Sequence, residues 1–265
     1  MILVFWQFKT AFAQVDSIAK KPFKVTQRLF FAVSGGLAVP VGKFRVYERY
    51  GTNGDPNLGS GYNYAGVPKW GGIGKVEVMF LVFKNLGITC TYYAAANKAD
   101  TLGQNTLYPN YPPTALGGGS STSLTHYSAT TWYTNNILFG IAPQLNLAKL
   151  KLRFKLSGGW QQVKTPETKI DGMGYSWNIS QGGSSSAFSI TQPSMISHNF
   201  VFGAGFDIRF TIKKNLGFIV SMDLLNSYAH FKGNLIDQNG NSTPNSFDKL
   251  ISIYSFNAGL CYQIK

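Results

Sequence analysis

One antiparallel, up-and-down transmembrane β-barrel of eight strands is the fold this sequence predicts. Three observations carry that prediction. Eight segments alternate apolar and other residues with period two. Several of the rows opposite the apolar ones are rich in Gly, Ser, Thr and Ala, small enough to crowd inside a narrow barrel. The connections between segments alternate short and long along the chain, as in barrels with short periplasmic turns and long outer loops.

Composition supports this reading and removes others. The 265 residues include 29 Gly, 20 Phe and 14 Tyr, and only 13% are charged, against about a quarter in soluble domains. No run of about 20 apolar residues occurs, which excludes helical membrane spans. The net charge is +13. The lysines lie in an N-terminal stretch, in short turns and along one strand face, with no basic patch interleaved with aromatics, so no nucleic acid is expected as a partner. A soluble barrel would hide its apolar row and carry abundant charge on the other; here the apolar rows hold Phe, Leu, Ile and Tyr, which suit lipid.

The chain opens with Met1-Ile-Leu-Val-Phe-Trp and reaches Ala11-Phe12-Ala13, an A-x-A cleavage pattern. Residues 1–13 are expected to be a signal peptide, although no basic stretch precedes the apolar run and Lys9 interrupts the approach to the cut. An apolar N-terminal strand is the alternative. Residues 14–24 read as a periplasmic linker and 25–265 as the barrel.

The first strand is expected over about Arg28 to Val41, with Leu29, Phe31, Val33, Leu37 and Val39 on one face. The second runs about Gly71 to Phe83, where Val76, Val78, Phe80 and Val82 alternate with Lys75, Glu77, Met79 and Leu81. The third is about Leu86 to Ala95. The fourth, about Thr131 to Ala142, has Ile137, Phe139 and Ile141 as its apolar row. The fifth, Lys149 to Val163, alternates Leu150, Leu152, Phe154, Leu156 and Trp160 with Lys149, Lys151, Arg153, Lys155 and Ser157. The sixth, Asn199 to Ile212, alternates Phe200, Phe202, Phe206, Ile208 and Phe210 with Asn199, Gly203, Gly205, Asp207 and Arg209. The seventh, about Leu216 to Tyr228, sets Phe218, Val220, Met222 and Leu224 against Gly217, Ser221, Asp223 and Ser227. The eighth runs Leu250 to Lys265, with a greasy face from Tyr254 through Phe256, Leu260 and Tyr262 to Ile264.

Short turns are expected at Lys84-Asn85, Pro143 to Ala148 and Lys213 to Asn215. Long loops are expected at about Gly42 to Trp70, Ala96 to Thr130, Lys164 to His198 and Phe231 to Asp248. These stretches carry turn formers such as Gly117-Gly-Gly-Ser-Ser121 and Gly182-Gly-Ser-Ser-Ser186. Cys90 falls on an outward row and Cys261 on an inward one, so no disulfide is expected between them.

The last strand contains Asn257-Ala-Gly259-Leu-Cys-Tyr262-Gln-Ile264, and the first contains Ser34-Gly-Gly-Leu-Ala-Val-Pro-Val-Gly-Lys43. In these motifs the chain resembles the small outer-membrane β-barrel proteins of Gram-negative bacteria, the OmpA/OmpX-like porin family. In that family the C-terminal pattern of polar, any, Gly, two residues, aromatic, any, apolar is an assembly signal, here matched by Asn257, Gly259, Tyr262 and Ile264. Ile264 stands where an aromatic is usual, and Lys265 follows it. The resemblance implies residence in the bacterial outer membrane, contact with its lipid and lipopolysaccharide, and insertion by the outer-membrane assembly machinery.

The inward rows gather a set of charges: Lys75, Glu77, Lys151, Arg153, Lys155, Asp207, Arg209 and Asp223. Buried charges need partners, and an eight-stranded barrel is just wide enough for side chains. An ion-paired plug is therefore expected in preference to an anion path. The histidines His126, His198 and His230 fall at the outer rim, with Ser197 and Ser227 nearby, so His198 and His230 could be neighbours. There is no G-x-S-x-G or H-E-x-x-H pattern, so no enzyme, metal or cofactor is expected. Trp70, Trp132, Tyr133, Trp160, Tyr228, Tyr254 and Tyr262 read as interfacial girdles. Lys43, Arg45 and Arg49 could meet lipopolysaccharide phosphates. Tyr62, Tyr64, Tyr108 and Tyr111 lie in the long loops, a composition suited to a protein partner. The expected function is a non-enzymatic outer-membrane protein, structural or surface-interacting. A narrow diffusion channel and an accessory subunit of an envelope machine are the alternatives.

Overall fold

The computed structural model describes residues 29–45, 66–100, 119–147, 150–178, 182–213 and 215–264. These form eleven strands: β1 (Leu29–Pro40), β2 (Val67–Phe83), β3 (Leu86–Asp100), β4 (Gly119–Ala129), β5 (Thr131–Leu147), β6 (Leu150–Lys164), β7 (Thr168–Asn178), β8 (Gly182–Gln192), β9 (Ile196–Thr211), β10 (Leu216–Asp237) and β11 (Ser242–Ile264). A 3-10 turn, Gly42–Arg45, follows β1. Eight strands close into a ring in the order β1–β2–β3–β5–β6–β9–β10–β11, and β11 returns to pair with β1. Every ladder is antiparallel.

The period-two sequence explains why these residues close a ring with its greasy side out. On β1 the outward residues Phe31, Val33 and Leu37 are exposed while Phe30, Ala32 and Ser34 are buried. The same inversion holds for Ile137, Phe139 and Ile141 on β5, for Phe154 and Leu156 on β6, and for Phe200 and Phe202 on β9, all of them exposed. A wall of this kind has no place in water, and closure leaves no unpaired strand edge in the ring, which is what a bilayer demands. The interior is filled with charges, amides and two groups of apolar side chains.

The seam between β1 and β11 needs two glycines. A Cβ on Gly36 would overlap the Phe256 carbonyl, and one on Gly259 would overlap the Val33 carbonyl and Ser34 Cα. Gly36 pairs with Asn257 and Gly259 with Ser34, so the two sites lock the same stretch of ladder.

Three strands fall where loops were expected. β4 lies within Ala96 to Thr130, and β7 and β8 lie within Lys164 to His198. They form a small sheet in the order β4–β7–β8, tied to the barrel by Thr191 and Ile190 of β8 opposite Ile236 and Asp237 of β10. The predicted loop Phe231 to Asp248 is likewise mostly strand, because β10 and β11 stay paired out to Ile236 and Ser242. Their hairpin tip is held by Asp237, whose Oδ1 accepts from the amides of Asn239 at 2.9 Å and Asn241 at 2.7 Å. The predicted turn Pro143 to Ala148 is largely the end of β5, which runs to Leu147. In each case the strand leaves the lipid, so its alternation stops being apolar against polar, and Gly and Ser no longer mark a break. The signal peptide, the linker, Arg28, Arg49, Lys149 and the loop tyrosines Tyr62, Tyr64, Tyr108 and Tyr111 lie outside the described residues.

Candidate functional site

The lumen is built in layers. Its middle holds three cations and three carboxylates from four strands: Lys75 and Glu77 on β2, Arg153 and Lys155 on β6, Asp207 on β9 and Asp223 on β10. Arg153 reaches Asp207 at 2.5 Å and Glu77 at 2.7 Å. Lys155 reaches Asp223 at 2.6 Å, Asp207 at 2.8 Å and Glu77 at 3.4 Å. Lys75 reaches Asp223 at 3.1 Å, Glu77 at 3.3 Å and Asp207 at 3.6 Å. All six side chains are almost wholly buried. Removing ions from water costs several kcal/mol each, so this density is tolerable only because each charge meets at least two of opposite sign.

Apolar layers lie on both sides. Toward the long-loop end, Trp132 is fully buried with Phe44 against it, edge to face, at a centroid distance of 5.3 Å. Phe231 meets Trp132 at 6.0 Å and stacks on Phe247 at 5.0 Å. Phe44 comes from the 3-10 turn after β1, which folds back over the mouth. Toward the short-turn end, Phe30, Ala32, Met79, Leu81, Ala142 and Ile219 cluster with Cys261. Between the charges and the outer layer, Gln161 Oε1 accepts from Asn199 Nδ2 at 2.8 Å and from Ser227 Oγ. A cavity beside Tyr93, Lys155 and Asp223 has room for about one water.

The remaining two charges of the predicted set stand apart from this network. Lys151 and Arg209 lie at the short-turn end; Lys151 Nζ donates to Gln263 Oε1 at 3.4 Å, and the Arg209 guanidinium lies 4.8 Å from the Phe30 ring centre. The sequence reading missed Phe30, whose ring also takes Arg153 at 4.4 Å. It also missed the part of Met79 Sδ, 3.3 Å from Arg153, and of Tyr93 beneath Lys75. An aromatic on the inward row of the first strand was the available signal.

Trp132 corrects the predicted girdle. It sits on the even-numbered row of β5, opposite Ile137 and Phe139, and therefore faces inward. Trp70, Tyr133, Trp160, Tyr228 and Tyr262 are exposed on the outer wall, and Tyr254 is half-buried. His198 and His230 do not make a site with the serines. His198 stacks on Trp160 at 4.9 Å, and His230 Nδ1 meets Asp248 at 2.5 Å, both on the outside. Ser197 and Ser227 face the lumen, on the opposite side of the wall. His126 is exposed on β4, opposite Asp171 of β7. Lys43 and Arg45 are exposed beside the outer mouth.

The assembly-signal residues run down β11 along its pairing with β1: Asn257 opposite Gly36, Gly259 opposite Ser34, Tyr262 opposite Phe31 and Ile264 opposite Leu29. Asn257 is buried, and Tyr262 and Ile264 are exposed. Cys90 is exposed and Cys261 buried, and neither is in a disulfide.

A closed eight-stranded ring with an apolar outer wall and a charged interior defines a transmembrane β-barrel. Comparison with solved structures finds outer-membrane proteins of low similarity. They include a major outer membrane protein from Thermus thermophilus, at 10% identity over 89% of this chain and 99% of that one, with a TM-score of 0.44. Two others are the attachment invasion locus protein Ail of Yersinia pestis, at 10% identity over 89% and 99% with a TM-score of 0.37, and the outer membrane protease OmpT of Escherichia coli, at 11% over 94% and 99% with a TM-score of 0.36. No family model matches the sequence, and no curated protein matches it.

Proposed function

We propose that this protein is a non-enzymatic outer-membrane barrel with a non-conducting lumen, acting as a structural and surface-interacting element of the cell envelope. The observation that supports the reading is the filling of the interior: a balanced set of three cations and three carboxylates lies between two apolar layers. A conduction path needs a continuous polar route, and the Phe44–Trp132–Phe231 layer interrupts one at the outer mouth. The placing of His198 and His230 on the lipid side of the wall, away from Ser197 and Ser227, favours a role without catalysis. Outer-membrane lipid contacts the exposed wall, and lipopolysaccharide phosphates meet Lys43 and Arg45 at the rim. Insertion by the outer-membrane assembly machinery accounts for the motif from Asn257 to Ile264.

Specificity for a protein partner resides in the arms beyond the membrane. Among the described residues β4 pairs only with β7, so its second edge can take another extended strand. The test is electrical. The full chain, refolded and shown to be closed by its heat-dependent gel mobility, is added to planar bilayers. The expected result is a silent membrane; steady anion-selective current that changes with Arg153→Ala would establish the diffusion-channel alternative instead.

A further inference from the structure

Two cations at the short-turn end of the lumen stand outside the balanced network. Lys151 and Arg209 are direct register partners on β6 and β9, one inward step from Arg153 and Asp207 toward the short turns. Like charges facing each other across a ladder repel. Arg209 is only 4% exposed, and its Nε is buried without a hydrogen-bond partner. Its guanidinium lies over Phe30, beside Gly217, where an added Cβ would press on Nε at 3.1 Å. Lys151 is half-buried and meets the neutral oxygen of Gln263. Among the described residues neither has a carboxylate partner, whereas Lys75, Arg153 and Lys155 have at least two each. The three carboxylates of the network are fully engaged, and the apolar layer of Phe30, Met79, Leu81 and Ile219 lies beside this pair. A buried guanidinium in that position calls for a counter-charge from outside.

We infer that Lys151 and Arg209 form an oxyanion-binding site at the short-turn mouth of the barrel, with a phosphate-class dianion as its ligand. Two fixed positive charges match a dianion better than a single carboxylate. The guanidinium fork suits two phosphate oxygens, and the ammonium group supplies a point charge. The pair lies toward the short-turn ends of β6 and β9, and its binding does not depend on whether the lumen conducts. Its ligand is either free phosphate or the phosphate of a monoester carried by a larger molecule.

The experiment is isothermal titration of the refolded full chain in dodecyl maltoside at fixed ionic strength, first with inorganic phosphate and then with phenyl phosphate. One saturable site is expected. Arg209→Gln and Lys151→Gln should each weaken it by about tenfold or more, as loss of a charge-assisted contact does, while Lys69→Gln on the outer surface leaves it unchanged. Binding of both probes shows that the mouth admits an ester, and binding of phosphate alone restricts it to the free ion; either supports the site. The absence of saturable binding, or equal affinity in both mouth variants and the parent, overturns it. Should Arg209→Gln fail to give the closed-barrel gel mobility, Lys151→Gln at the half-buried rim decides alone.

Discussion

Arg153 and Asp207 occupy directly opposed positions on β6 and β9, and their charges meet at 2.5 Å inside the barrel. Glu77, from β2 on the far wall, reaches the same guanidinium at 2.7 Å. Arg153→Met therefore removes the shortest ion pair of two buried carboxylates at once and leaves three carboxylates to two cations. The expected loss is about 3–5 kcal/mol, the usual effect of breaking a buried pair from one side. The double variant Arg153→Met/Asp207→Asn restores a balance of two cations and two carboxylates, and should recover part of that loss. Urea unfolding in lipid vesicles, analysed as a double-mutant cycle, checks both; additive losses would argue against a shared network.

Trp132 and Trp160 offer a contrast of environment. Trp132 is enclosed by Phe44 and Phe231, while Trp160 lies on the lipid side with His198. Truncating the enclosed ring leaves a cavity, so Trp132→Ala should cost about 3–5 kcal/mol. Lipid fills the space left by Trp160→Ala, which should cost distinctly less. The same unfolding assay ranks the two.

Closure of the ring depends on close backbone approach at the seam. Gly259→Ala places a methyl group against the Val33 carbonyl, an overpacking worth about 1–3 kcal/mol. A larger fraction of the protein should then run as the open form on an unheated gel. Gly72→Ala, where a Cβ meets nothing within 4 Å, is the matched control and should close normally.

The hairpin tip beyond the membrane should respond to acid. The Asn241 side chain, followed by the backbone amides of Asn241, Asn239 and Gly240, holds the Asp237 carboxyl below the usual aspartate range. A depressed folded value means that the tie is fully present above the ordinary value of about 3.9. It is lost as pH falls through the folded one. Protection of the Asn241 amide from hydrogen exchange, corrected for intrinsic rates, should fall over that acidic window. In Asp237→Ala the protection should be low at every pH.

The sequence made the membrane-crossing part of the fold legible because lipid on one side and a narrow lumen on the other impose strict alternation. Phe154, Leu156, Arg153 and Lys155 could be assigned to their faces from parity alone. The same rule, applied consistently, would have placed Trp132 inside with Thr134 and Asn136; reading it as a girdle residue put chemical type before parity. Strands β4, β7 and β8 were not legible because both their faces lie outside the bilayer, and Gly182-Gly-Ser-Ser-Ser186, which begins β8, has the composition of a turn. Parity could also collect eight inward charges, but not divide them. That six join and Lys151 and Arg209 do not depends on how β2 faces β6, β9 and β10 across a closed ring, a relation that spacing along the chain does not contain.

Five of the ion pairs, Lys75 with Asp207 and Asp223, Glu77 with Arg153 and Lys155, and Lys155 with Asp223, join strands that are not neighbours in the wall. A growing sheet that has not yet curled shut cannot make them. Before the last seam forms, only Arg153 and Lys155 with Asp207 on adjacent strands, and Lys75 with Glu77 on one strand, can pair. The network thus works as a completion check: a barrel missing a strand, or paired one residue out of step, retains bare ions at its centre and remains far easier to take apart.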